Sequence, residues 1–168
     1  MERSTTDVNL TRRFDAPIER VWQAWVEPEQ VKQWWGPAGF TCPLAKMDFR
    51  EGGTSLVCMR APQEFGGGDM YNTWSYTEIV PLERFEYILR FSDRDGTALD
   101  PAAIGLPPGI PQEVRNLNVF TDLGDGRTEL TITEYGYASP DAAAMSRMGL
   151  DQCLDKMEVL LASVTGQA

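Results

Sequence analysis

The sequence predicts an α+β fold in which a curved antiparallel sheet wraps a long C-terminal helix, with two short helices after the first strand. Three observations predict it. Strand-like runs come in consecutive pairs joined by short turns, and the last segment changes from a period of two to an amphipathic helical period. No internal repeat, linker or low-complexity tract divides the chain, so its 168 residues are expected to form one domain, 1–168, around one core.

Residues 5–14 (TTDVNLTRRF) alternate as an opening strand, and Pro17 marks the first position of a helix. Ile18, Val21, Trp22, Trp25 and Val26 then gather on one helical face. Pro28 ends that run, and EQVKQWW forms a second short helix closed by Gly36-Pro37. Strands follow in pairs: 47–49 with 54–60 around Arg50-Glu51-Gly52-Gly53, 73–80 with 85–91 around Pro81-Leu82-Glu83-Arg84, and 117–123 with 129–135 around Gly124-Asp125-Gly126-Arg127. Between the last two pairs, residues 92–114 carry four prolines without periodicity and read as a semi-rigid cover. Ser139-Pro140-Asp141 caps the final helix, which runs to about residue 164 with Leu150, Cys153, Leu154, Met157, Leu160, Leu161 and Val164 on its apolar side.

Composition excludes several functions. A net charge of −10 repels phosphate backbones and anionic membranes, so no nucleic-acid partner is expected. The first residues lack an apolar signal core and no stretch is apolar enough to insert into a membrane, which predicts a cytoplasmic protein. Cys42, Cys58 and Cys153 are odd in number and scattered, as buried reduced thiols would be. Histidine is absent, which removes most metal and triad chemistry; neither a metal nor any other cofactor is expected. Gly66-Gly67-Gly68 precedes a strand, so it is a hairpin loop and no phosphate cradle. A homodimer stays open.

Register locates candidate site residues. A four-residue turn at 81–84 pairs Val80 with Phe85, Glu78 with Tyr87, Tyr76 with Leu89 and Trp74 with Phe91, placing these eight residues on the inner face. Glu78 is then an inward acid, and Glu134 is a second one in line with Leu130 and Ile132. For 117–123 the pattern leaves two registers, one turning Leu117, Val119 and Thr121 inward and the other Asn116, Asn118 and Phe120.

The order of elements and the stretches RRFDAPIERVWQAWVEPEQVKQWWGP (12–37), FREGG (49–53), YTEIVPLERFEY (76–87), FTDLGDGRTELTITEYGY (120–137) and GLDQCLDKMEVLL (149–161) resemble the homologues of the activator of Hsp-90 ATPase. These form part of the START-like, polyketide-cyclase and Bet-v-like (SRPBCC) superfamily. The resemblance implies a helix-grip fold of seven strands with a cavity between sheet and helix, and it favours the register with Asn118 and Phe120 inward. It does not fix function, because the superfamily includes carriers, receptors, cyclases and co-chaperones.

Three functions follow as expectations. The first is binding of a small hydrophobic or aromatic molecule by Trp35, Met59, Trp74, Tyr76, Glu78, Tyr87, Leu89, Asn118, Phe120, Glu134, Met145, Met148 and Met157, residues that could equally be plain core. The second is a cyclase or hydrolase with Glu78 or Glu134 as general base, since an acid among apolar groups has a raised pKa; a salt bridge to Arg60 or Arg90 is the alternative role. The third is co-chaperone action on an Hsp-90-type ATPase, set against the expectation that 168 residues leave no room for the additional N-terminal domain of eukaryotic activators.

Overall fold

The computed structural model describes residues 5–165, with side chains to residue 162. Seven strands form one antiparallel sheet: β1 (Thr6–Phe14), β2 (Thr41–Lys46), β3 (Thr54–Arg60), β4 (Asp69–Val80), β5 (Arg84–Ser92), β6 (Glu113–Gly124) and β7 (Arg127–Tyr137). Their spatial order is β1-β7-β6-β5-β4-β3-β2. Helices α1 (Ile18–Val26) and α2 (Pro28–Trp34) follow β1, and α3 (Pro140–Thr165) closes the chain. This is the helix-grip arrangement.

Local chemistry sets the boundaries. Pro17 lies one residue before α1, where its carbonyl accepts from the amides of Arg20 and Val21. Ser139 Oγ accepts from the Ala142 amide at 3.1 Å and so caps α3. Along α3, Leu150, Cys153, Leu154, Met157, Leu160 and Leu161 are buried as the periodicity predicts, while the side chain of Val164 lies outside the described residues.

Two expectations about the sheet need correction. The partner of β3 is Thr41–Lys46, and Met47–Phe49 lies outside the strands. Pro43 hides this strand from pattern reading, because a residue without an N–H is tolerated on a sheet edge, where β2 sits. The turn after β4 contains three residues, with Val80 opposite Arg84 and Leu82 at a φ of 64°. That shift puts Ile79 opposite Phe85 and Glu78 opposite Glu86; a bulge at Thr77 then returns Tyr76 and Trp74 to the inner face, opposite Tyr87 and Leu89 where Leu89 and Phe91 were expected. All four expected pairings therefore shift, but only Glu78 and Val80 lose the inner face.

The core is aromatic and asymmetric. Trp22, Trp25 and Trp34 from the short helices wedge between sheet and α3, meeting Trp74, Phe85 and Phe120 with ring centroids 5.0 to 6.4 Å apart. Most of these contacts are edge-to-face, the arrangement that ring quadrupoles favour. Trp34 is also anchored by a buried hydrogen bond from its Nε1 to the carbonyl of Ala24, 2.7 Å away. A smaller cluster of Val8, Val114, Tyr137, Ala142 and Ala143 closes the opposite end.

The Trp34 bond generates a stability prediction. Trp34→Phe keeps most of the ring but removes the donor, leaving a buried carbonyl short of a partner. It should lower stability by about 1–3 kcal/mol, seen as a lower urea midpoint with an unchanged slope.

Candidate functional site

Between the aromatic wedge and the smaller cluster, the sheet and α3 separate around a cavity of about 320 Å³. β3 and β4 contribute Met59, Met70 and Asn72, while β5 gives Tyr87, Leu89 and Phe91. From β6 and β7 come Val114, Asn116, Glu134 and Tyr137, and α3 supplies Met145, Ser146, Gly149, Leu150 and Cys153. Trp35, Pro37 and Phe40 wall the side behind α2. Leu106 and Ile110 cover it from the proline-bearing connection, which is tied down where the Ala138 amide donates to Gly109 O at 2.8 Å. A side chain at Gly109 would meet Ser139 Oγ at 2.6 Å, so that close approach needs glycine.

Gly149 matters for a different reason. It stands inside α3, and a Cβ placed there would meet no atom within 4 Å. The missing side chain leaves room in the wall, at a cost of about 0.5–1 kcal/mol in helix stability relative to alanine.

The expected site residues divide three ways. Trp35, Met59, Tyr87, Leu89, Glu134 and Met145 line the cavity. Trp74, Tyr76, Asn118, Phe120 and Met157 are buried but belong to the solid core: Tyr76 Oη is held by Ser55 Oγ at 2.8 Å, and Phe120 packs on Trp22. The inward register of β6 is the one with Asn118 and Phe120, and Asn118 sits wholly buried with its amide unpaired among the described residues. Glu78 and Met148 are exposed. The turn and bulge send Glu78 to the outer face, where it pairs with Arg84 at 3.0 Å and with neither Arg60 nor Arg90. Met148 is 59% exposed because its position on α3 points away from the sheet.

Part of the lining carried no assignment to the site in the sequence reading. Asn72 lies two residues before Trp74 on the same inner face, so extending the alternation of β4 would have found it. Asn116, inward in one of the two registers open for this strand, is opposite Glu134 in the sheet. Tyr137 and Ser146 carry no such signal, since their meeting depends on the angle between β7 and α3.

The polar end is centred on Glu134, which is 7% exposed. Its Oε1 accepts from Tyr137 Oη at 2.9 Å and from Ser146 Oγ at 2.6 Å, and these two hydroxyls are themselves 2.8 Å apart. Among the described residues Oε2 accepts no hydrogen bond, and Tyr87 Oη, facing the same acid, makes none either. Burial raises the Glu134 pKa from its ordinary 4.5, with the two hydroxyl donors pulling the other way. Burial likewise raises Tyr87 and Tyr137, and pushes the Cys153 thiol up to about 12. All three cysteines are free and buried, the state in which thiols are least reactive. Among the described residues no group of three or more Cys, Asp or Glu is placed to hold a metal ion, and no helix is long and apolar enough to cross a membrane.

This architecture matches known proteins. The family model described as Activator of Hsp90 ATPase homolog 1-like protein matches residues 15–162. The chain belongs to this family. A crystal structure of a Chromobacterium violaceum protein is 28% identical, with a TM-score of 0.73 over 92% of this chain and 96% of that one. A Mycobacterium smegmatis protein is 26% identical, with a TM-score of 0.72 over 95% and 93%. The AHSA1 protein from Silicibacter pomeroyi, at 20% identity and a TM-score of 0.72 over 94% and 98%, shares the fold of the family. No curated protein matches the chain.

The raised Glu134 pKa fixes the sign of a pH effect. The folded protein keeps a proton on this carboxyl at pH values where the unfolded chain has released it. Its contribution to stability is therefore complete below 4.5 and lost as pH rises through the folded value. Glu134→Gln, neutral throughout, should gain melting temperature relative to the parent as pH rises from about 4 to about 7. Calorimetry showing Glu134→Gln losing melting temperature relative to the parent as pH rises would contradict the assignment.

Proposed function

We propose that the protein binds a small apolar or aromatic molecule in the cavity between sheet and α3, with Glu134 orienting its polar end. The observation that carries this reading is a cavity of about 320 Å³, walled by aromatic, methionine and aliphatic side chains, with one buried acid at one end. That volume is at the lower end of the range for small-molecule sites, and the mixture of many apolar groups with few polar ones is typical of them. Met59, Met70 and Met145 add an adaptable wall that can follow the shape of an occupant.

A hydrolytic reading has one observation in its favour. Ser146 Oγ donates to Glu134 Oε1 at 2.6 Å, a hydroxyl beside an acid whose pKa is raised. It differs from simple binding in requiring turnover: ester hydrolysis that disappears in Ser146→Ala would establish it.

The binding reading is tested by thermal shift against a panel of aromatic, fatty and polyketide-like compounds. A ligand at about 100 times its dissociation constant should add roughly 2.7 kcal/mol, raising the melting temperature by several degrees. Gly149→Leu should fill the cavity, melt higher than the parent because a helix glycine is removed, and lose the shift. A parent protein that responds to no compound, or a Gly149→Leu variant that binds as well as the parent, rules out this cavity as the site.

A further inference from the structure

Taking the cavity as the binding site proposed above, we infer that its occupant carries a protonated amine, seated against Glu134 among the aromatic rings of the wall. The cavity offers one carboxylate and no cation: neither Lys nor Arg is among its lining residues. Nearby cations are engaged elsewhere. Arg12 Nη2 pairs with Asp151 and Asp155, Lys156 Nζ donates to Phe40 O at 2.8 Å, and Arg90 pairs with Glu113.

The acid is held ready for such a partner. Tyr137 Oη and Ser146 Oγ both donate to Oε1, which fixes the plane of the carboxylate and favours its ionised form. Oε2 remains as an acceptor without a donor, so the complementary group is an N–H or O–H. Burial makes an unpaired charge here unfavourable, and a cation removes that penalty where an alcohol supplies only a hydrogen bond.

The wall agrees with this choice. Trp35, Phe40, Tyr87, Phe91 and Tyr137 put five aromatic rings into one small cavity, and ring quadrupoles attract ammonium groups that water has left. A net charge of −10 raises the local concentration of cations and repels anions over the whole surface. A carboxylate-headed ligand would meet both the field and Glu134; Trp35 Nε1 and Asn72 Nδ2 are unpaired donors among the lining residues, but no cation is there to neutralise its charge.

Three probes with one apolar body decide the matter: phenylbutylamine, phenylbutanol and phenylbutyrate, titrated calorimetrically into the full chain near neutral pH. The amine should bind at least about tenfold tighter than the alcohol, and the butyrate should be weakest. Glu134→Gln should bring the amine to within about threefold of the alcohol.

A second measurement needs no variant. Acidification should shrink the preference for the amine as Glu134 takes up its proton. The amine stays charged throughout, and Tyr87, Tyr137 and Cys153, the other titratable groups facing Glu134, are raised and stay neutral. If the alcohol or the butyrate binds tightest, or the preference survives both Glu134→Gln and acidification, the amine is wrong and the cavity still binds. If none of the three probes binds, the cavity reading falls with it.

Discussion

The wedge of Trp22, Trp25 and Trp34 is the packing interaction on which the rest of the structure depends. A curved sheet and a straight helix cannot touch along their whole length, and something must fill the angle between them. The short helices α1 and α2 fill one end with indole rings, packed on Trp74 and Phe85 of the sheet. At the other end Val8, Val114, Tyr137, Ala142 and Ala143 close the gap with smaller groups. The space left between these two clusters is the cavity, so its place is decided by where the bulky residues stop.

That division explains why the polar groups lie where they do. Glu134 and Asn116 are paired across neighbouring strands at the level where the tryptophan wedge ends. A carboxyl there has no indole against it and can reach the hydroxyls of Tyr137 and Ser146. Two residues further into the sheet, Asn118 points the same way but lies opposite Phe85 and Ile132, where it has no polar neighbour to bond. Position along the wedge, more than residue type, separates a site residue from a core residue.

Much of this was legible in the sequence and some of it could not be. Alternation and turn residues are local, and they identified α3, four strands of the two later hairpins and the inward direction of Trp74, Tyr87 and Glu134. Glu78 failed because one residue more or fewer in a turn reverses a face, and a bulge at Thr77 has no signature in the sequence. Trp74, Tyr76 and Met157 were correctly inward yet not at the cavity, since periodicity gives the face of an element and says nothing of the distance between two elements. Tyr137 and Ser146 belong to the same class of information: their contact is set by how α3 crosses the sheet.

The sheet order has a consequence for how the chain reaches this state. β1 lies beside β7, so Thr6 pairs with Tyr137 and Phe14 with Thr128, while every other pairing joins strands adjacent in sequence. Five hairpin-like ladders can form locally as the chain is synthesised. The first strand must wait, unpaired, until most of the polypeptide has left the ribosome, and its pairing closes a loop spanning more than half the chain. Contacts of such high sequence separation slow folding, because loop entropy is lost before the pairing compensates for it. Zipping β1 onto β7 and laying α3 across them thus require most of the chain, and the cavity is complete only when both are in place.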